Sequence, residues 1–410
     1  MAFVLKPQQR TVRYWLRQLH LWVGLVLLLP LVVMGVSGAV LVYGHDIEHL
    51  LGQGEPAATT PGEWRAPSEL VEAAKKAVNQ PDRVAMAVRW PAEVGEPAAV
   101  RLSRPVGPAR GEVGANRNQS PFAGSVQVLL DPVSLEPLGS QAMTGWVRFF
   151  HDLHGHLFIA GGVGREIVGW LGVALLVLGC TGLYLWWPRP GQWRRAFGVR
   201  RNAKGLRLHR ELHGAVGIWT LVLFMLVNFT GVYIAFPQAV GAVVTTVLPG
   251  RDVRAATMLA RVEPMRGTRP MGVDEAVGLA RSRVPDARFL NAFLPTRPDQ
   301  ALRVSLVRDG HSDGAPPVTV VIDPLRRTVL DVLDPRTMTA GERFLAWQRA
   351  LHYGLGLGPL YKFLVFVSGV IIPLFAVTGF LMWWIKRRNR RAGERARAAI
   401  QAAAALKAAE

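Results

Sequence analysis

The chain has 410 residues, half of them apolar and only 19% charged, yet its formal net charge is +19. Aliphatic content this high excludes a disordered polyelectrolyte, and charge this scarce and this unbalanced must be segregated along the chain. A single cysteine, Cys180, excludes a disulfide framework and any cysteine-based zinc or iron–sulfur centre, and no Cys-x-x-Cys-His run allows covalent haem attachment.

Residues 1–20 open the chain as a basic segment, with four Lys/Arg and no acid before residue 20. An uncharged run from Gln18 to His45 follows. About 20 such residues cross a bilayer as a helix, so a first span is expected at 21–43. The run is too long for a signal-peptide core, and Gly44-His45-Asp46 is a poor small-x-small cleavage site. Residues 44–150 read as a small α+β domain. An amphipathic helix is expected at 67–80 and strands at 83–90, 98–102 and 125–130. Asp131-Pro132 then marks a tight turn before a last short strand. The Gly- and Pro-rich stretch 106–123 reads as a flexible excursion.

Residues 151–187 hold a Leu-His segment and a second span at 168–187. Residues 188–212 form a basic loop, with eight Lys/Arg set against Glu211. A third span is expected within 213–236. Residues 237–340 repeat the outer pattern, with a helix at 273–284, strands at 288–293, 302–306 and 318–322, and a turn at Asp323-Pro324. Residues 341–385 hold a second Leu-His segment and a fourth span at 363–385. Residues 386–410 form a basic tail. The three short basic segments together carry 20 Lys/Arg and three acids, whereas the two long loops carry 26 and 24. The positive-inside rule therefore predicts cytoplasmic termini, a cytoplasmic 188–212 loop and two outward loops. The basic residues mark topology and contact with anionic membrane lipids, not nucleic acid. Pro30 and Pro373 are expected to kink their spans, and Trp186-Trp187 and Trp383-Trp384 read as interfacial aromatic belts.

The two halves repeat. His20 is followed by Gly24 and Ser37-Gly38, and His213 by Gly217 and Thr230-Gly231, at the same spacings. Met143-Thr144, Phe149, Leu153-His154, Thr181-Gly182 and Trp186-Trp187 recur as Met338-Thr339, Phe344, Leu351-His352, Thr378-Gly379 and Trp383-Trp384. The fold class expected is an α-helical integral membrane protein with four transmembrane helices in two parallel repeats, plus two small α+β domains outside. Each repeat has an even number of spans, so the pseudo-twofold runs along the membrane normal.

The repeat also sorts the histidines. His20 and His213 sit at the inner entries of spans one and three, and His154 and His352 lie on the outer side before spans two and four. An ionisable group at membrane depth is costly and points to function, while a single interfacial histidine often only snorkels. Two pairs in register favour a cofactor, and imidazole is a common ligand of haem iron. Gly24 and Gly217, one turn deeper on the same helix face, would leave room for a macrocycle, though helix packing uses glycine there too. His209 is an alternative or second inner ligand, one turn before His213. His151 and His156 are alternatives to His154. His45 and His49 have no counterpart in the second half, and His311 reads as solvated in a loop tip. An unbroken helix from His154 to Trp187 would be roughly 50 Å long. Breaks are therefore expected at Gly161–Gly164 and at 354–359, leaving His154 and His352 on short surface helices.

This order of elements resembles the PepSY-associated transmembrane family, often called iron-regulated membrane proteins. The motifs that carry it are Leu19-His20-x3-Gly24, Leu212-His213-x3-Gly217 and the two Leu-His…Thr-Gly…Trp-Trp blocks, and they cover about 10–390. The resemblance implies PepSY-like periplasmic domains at 44–150 and 237–340 in a bacterial inner-membrane protein. One branch, the FoxB-like ferric-siderophore reductases, implies two b-type haems, with His20, His213, His154 and His352 as iron ligands. It also implies a ferric chelate or siderophore as substrate, and a quinol or cytoplasmic reductase as electron donor. No flavin or nicotinamide motif is present, because Gly161-Gly162-x-Gly164 does not follow a strand. The alternative is a cofactor-free, membrane-anchored PepSY binding, chaperone or regulatory module. A transporter is disfavoured by spans that lack Asp, Glu, Lys and Arg.

Overall fold

The computed structural model describes residues 11–104, 125–141, 145–159, 162–265 and 267–409. The excursion expected at 106–123, the Met143-Thr144 pair and Gly161 lie outside the described residues. The chain divides into a helical unit (Met1–Val40, Gly169–Gly231, Leu364–Glu410) and a sheet-bearing unit (Leu41–Val168, Val232–Phe363).

The first half runs α1 (Val12–Val26), α2 (Leu28–Val42), α3 (Gly44–Leu50), α4 (Pro67–Val78), β1 (Val84–Arg89), β2 (Ala98–Ser103), β3 (Val126–Leu130) and β4 (Pro137–Gln141). It continues with α5 (Gly145–His156), α6 (Gly162–Trp186) and α7 (Trp193–Ala196). The second half runs α8 (Gly205–Ala235), α9 (Pro237–Val247), α10 (Val253–Thr257), α11 (Val273–Arg283), β5 (Arg288–Phe293), β6 (Leu302–Val307), β7 (Val318–Asp323), β8 (Thr328–Leu333), α12 (Ala340–Tyr353) and α13 (Pro359–Ala409). The strands and the helices α4 and α11 fall where the hydropathy pattern placed them. The short helices α3, α7, α9 and α10 were not expected.

Helices α6, α8 and α13 are each long and apolar enough to cross a membrane, and α1 with α2 passes that test as one bent pair. The bend is 66° and falls at Leu27. Pro30 explains its place. Proline has no N–H to give the carbonyl of Val26 and its ring crowds that carbonyl, so α1 ends at Val26 and α2 starts two residues later. Pro373 behaves differently, because α13 runs through it without a break. That helix also continues through the basic tail, whose alanines are the strongest helix formers. Trp15, Trp22, Leu29, Trp219, Val222 and Val377 are exposed apolar side chains of these helices, as lipid-facing surfaces require. Gly35 and Gly369 let α2 and α13 touch. A Cβ on Gly35 would lie 2.7 Å from the Gly369 carbonyl oxygen, and one on Gly369 would lie 2.6 Å from that of Gly35. Such contacts supply packing where lipid removes the hydrophobic drive between helices.

In the second unit the two outer loops do not form separate domains, contrary to the expectation of one at 44–150 and another at 237–340. Their strands join in one eight-stranded antiparallel sheet of order β4-β3-β2-β1-β5-β6-β7-β8. The reason is an edge problem. Alone, each four-stranded half would leave β1 or β5 with a row of unpaired backbone groups. Each half supplies the other's missing neighbour. The seam pairs Val88 with Ala292, flanked by Ala87↔Phe293 and Arg89↔Asn291. Trp90 N–H donates to the Leu290 carbonyl, and Leu294 N–H to that of Met86, both at 3.0 Å. Register shifts fall at Met86 in β1 and Leu290 in β5, the same places in the two copies. The local twofold thus passes through the Val88–Ala292 pair.

One face of the sheet is covered by α4 and α11. Leu70, Val71 and Ala74 of α4 and Val273, Ala276, Val277 and Ala280 of α11 bury against Val88, Val100, Leu102, Val128, Ala292, Val304, Leu306 and Val320. The Asp-Pro turns form as expected. Asp131 accepts from the N–H groups of Val133 and Ser134 at 2.9 and 3.0 Å, and Asp323 from those of Leu325 and Arg326 at 2.9 and 3.0 Å.

Candidate functional site

Within the helical unit, His20 of α1 and His213 of α8 face each other with ring centres 6.2 Å apart. Each is tied to a threonine on another helix. His20 Nδ1 is 2.9 Å from Thr181 Oγ1 on α6, and His213 Nδ1 is 2.8 Å from Thr378 Oγ1 on α13. Both threonine hydroxyls donate back into their own helices, Thr181 to the Val177 carbonyl and Thr378 to the Leu374 carbonyl, each at 2.7 Å. A hydroxyl that has spent its proton this way accepts from the ring. The histidines therefore carry their proton on Nδ1 and leave the Nε2 lone pair for a ligand.

The glycine after each threonine faces the histidine ring. A Cβ on Gly182 would sit 3.4 Å from His20 Cε1, and one on Gly379 would sit 3.8 Å from His213 Cε1. Phe375 lies beside His213 with ring centres 5.1 Å apart and planes tilted by 57°, and meets Phe224 edge-on at 6.2 Å, which gives the pair an apolar wall. Gly24 and Gly217 face Leu178 Cδ2 and Phe375 Cε1, and a Cβ on either would meet them at 3.9 Å, an ordinary contact. Of these four glycines, Gly182 stands nearest its neighbour, the ring of His20, while the other three have ordinary clearances. The Thr-Gly pairs were visible as a repeat in the sequence, but their bond to the histidines was not. Two like dipeptides about 160 residues after two like histidines were the available signal.

In the sheet-bearing unit, His154 of α5 and His352 of α12 stand with ring centres 6.1 Å apart and planes 36° from parallel. Helix α12 ends where the sequence predicted, before the glycines of 354–359, whereas α5 ends already at His156. Leu157 and Phe158 adopt left-handed conformations after α5 (φ 52° and 58°), and Gly354, Gly356 and Gly358 do so after α12 (φ 74° to 83°). The first break thus precedes the glycines expected to make it. His151 and His156 lie 6.2 Å apart on α5, and His151 contacts Asp152 at 3.5 Å. Burial, then the nearby His151, lowers the His156 pKa. His209 is half-buried on α8, and among the described residues no hydrogen bond or ring contact joins it to the His20–His213 pair. His45 and His49 pair with each other at 4.6 Å on α3, both exposed. His311 is half-buried rather than solvated. Among the described residues no three His, Cys, Asp or Glu side chains converge as a metal site.

The donor set can be tested against a bis-imidazole metal group. Two metal–imidazole bonds of about 2 Å each, in line through one metal, put ring centres roughly 6 Å apart. Both pairs have that spacing, and the inner pair also has the Nδ1 partners that ligating histidines require. The residues present fit a haem held between two histidines.

Long apolar helices joined to an antiparallel sheet domain define an integral membrane protein. The chain belongs to the PepSY-associated TM region family, which it matches over residues 17–386. It is also similar to a Pseudomonas aeruginosa protein described as Uncharacterized protein PA4219, with 42% identity over 81 residues. That match covers 20% of this chain and 19% of the relative, so the likeness is confined to about a fifth of either.

Proposed function

We propose that the chain is a b-type haem protein of the bacterial inner membrane that reduces a ferric chelate, such as a siderophore, on the periplasmic side. His20 and His213 would hold one haem, and His154 and His352 a second. The observation that carries this reading is the pair of His–Thr hydrogen bonds, which prepare two facing imidazoles for one metal. Bound haem would supply a one-electron couple inside an otherwise uncharged helical core.

The rest falls to this chain's own groups. Thr181 and Thr378 hold the ligand tautomer. Gly182 and Gly379 face the rings, and Phe375 and Phe224 keep water away. A quinol or a cytoplasmic reductase would be the electron donor, and basic loops facing the cytoplasm suit its inner side. The substrate Fe(III) gains one electron and becomes Fe(II). Hard oxygen donors hold the less charged ion more weakly, so reduction releases the metal. The alternative, a cofactor-free binding or regulatory module, would keep both His–Thr bonds as interhelical contacts and give the two Nε2 atoms no ligand.

The test is anaerobic reduction of the purified protein, mixing with a ferric chelate, and capture of Fe(II) by a colorimetric ligand. One Fe(II) per electron stored is expected, falling at least tenfold in His352→Ala. Full Fe(II) yield from the His213→Ala, His352→Ala double variant would refute the reading.

A further inference from the structure

The uncharged run that opens at Leu212 does not stop where α8 ends. It continues through α9 to Gly250, and Arg251 is the next charged residue. Helix α8 runs unbroken to Ala235. Phe236 leaves the helical conformation (ψ 58°), and α9 starts at Pro237. From His213 to Ala235 a helix rises roughly 33 Å, close to a hydrocarbon core of about 30 Å. A span that enters at His213 therefore leaves the core near Ala235, and α9 starts at the membrane surface.

Helix α9 has two faces. Pro237, Gly241 and Val244 are buried, and a Cβ on Gly241 would lie 3.5 Å from Asp252 Oδ2. The end of α9 closes on α12, where Gly341 N–H donates to the Pro249 carbonyl at 2.9 Å. The other face shows Ala239, Ala242, Val243, Thr246 and Val247, with Val243 64% and Val247 76% exposed. At helical spacing these residues form one stripe. A surface helix in water carries charged and polar groups on such a stripe. Here Thr246 is the polar member, and its hydroxyl donates to the Val243 carbonyl at 2.7 Å. A hydroxyl satisfied within its own helix suits a place without water. The return to water coincides with Arg251, whose guanidinium turns to Asp331 and Glu342 at 2.7 and 2.9 Å. The repeat supplies a comparison, because α3 and α9 start equally far after His20 and His213. Helix α3 carries His45, Asp46, Glu48 and His49, whereas α9 has no charged residue and no histidine. Position in the repeat alone therefore does not demand an uncharged helix.

We propose that α9 is a membrane-surface helix whose Ala242, Val243 and Val247 face lies among lipid acyl chains just below the head groups. It does so at the end of span α8, the outer side by the positive-inside reading. The occupant is lipid because the face follows directly on a span whose own exposed side chains, Trp219 and Val222, already require it. A helix lying in the interface sinks its apolar face roughly 5–10 Å into the boundary between head groups and chains. Helix α9 thereby ties α12, the helix of His352, to the bilayer through Gly341. The inference needs the membrane spans and no cofactor.

The experiment reads the surroundings of single nitroxide labels on the full chain in lipid nanodiscs. Cys180→Ser removes the one native thiol. Labels are then placed one at a time at Val243→Cys and Val247→Cys. Val222→Cys on α8 is the lipid reference, and Val94→Cys, at a side chain 93% exposed between β1 and β2, is the water reference. Power saturation compares collisions with oxygen, which concentrates in lipid, and with a nickel chelate, which stays in water. At Val243→Cys and Val247→Cys the oxygen-to-nickel collision ratio is expected to follow Val222→Cys and to exceed that at Val94→Cys at least fivefold. A ratio equal to that at Val94→Cys overturns the proposal and puts the face in water. Low collision rates with both reagents also overturn it, since a protein surface would then cover the face, and dipolar broadening between labels would identify that surface as a second copy. Should a label at Val243 or Val247 prevent folding, Ala242→Cys reads the same face.

Discussion

Thr181 and Thr378 decide what His20 and His213 can do. Each hydroxyl is fixed as an acceptor by its own helix carbonyl, so each histidine is fixed as an Nδ1 donor. Replacing either threonine with valine keeps the volume and deletes the acceptor. Such a loss costs about 1 kcal/mol of stability, and loss of a histidine's outer partner weakens metal holding 10- to 100-fold. Thr378→Val is therefore expected to lower haem retention on gel filtration, while Thr220→Val on α8, which bonds only its own helix, should leave it unchanged. Asp131 gives a pH test at the same scale. Burial opposes its charge, but the N–H groups of Ser134, Val133 and Thr60 outweigh it and hold the pKa down at about 2. A depressed carboxyl stabilises the fold above its unfolded pKa and loses that contribution as pH falls through the folded value. The contribution is about 2 kcal/mol. Sheet-unit stability should therefore fall between pH 4 and pH 2 in the parent, and Asp131→Asn should flatten that slope in a thermal scan.

At the scale of elements, the helix and strand positions were readable because burial imposes its period on the sequence. The strands β1 to β3 and β5 to β7 and the helices α4 and α11 follow directly from it. What escaped was what a one-dimensional pattern does not encode. The β1–β5 pairing joins residues more than 200 positions apart, and no turn between them advertises it. The break after α5 lies at Leu157 and Phe158, residue types that give no sign of a left-handed turn. Proline was a sound guide at Pro30, where a break could be absorbed, and a poor one at Pro373, inside a helix packed through Gly369 against Gly35. The His pairs were legible because the chain states them twice. That close glycine contact yields a further test. Gly369→Val places side-chain atoms where the Gly35 carbonyl stands, and overpacking of this kind costs about 1–3 kcal/mol. The thermal midpoint in detergent should fall by several degrees, with Gly393→Val in the open part of α13 as an inert control.

For the whole molecule, the seam makes each half of the chain depend on the other. Neither loop carries a complete sheet, so the two copies of the repeat are committed to one another at Val88 and Ala292. Ala292→Pro removes a ladder N–H from a central strand, where proline is not tolerated. It is expected to expose both halves to limited proteolysis together, as judged by simultaneous loss of fragments from 44–150 and 237–340. Cleavage confined to the second half would show that the first folds alone.

The central claim is that two facing histidine pairs hold haem. The most direct measurement is a visible spectrum of the detergent-purified protein, oxidised and then dithionite-reduced, with a pyridine haemochrome count. The account predicts a sharp Soret band, resolved α and β bands on reduction, two haems per chain, and one in His213→Ala or in His352→Ala. A colourless protein, even after expression with added haem precursor, would contradict it.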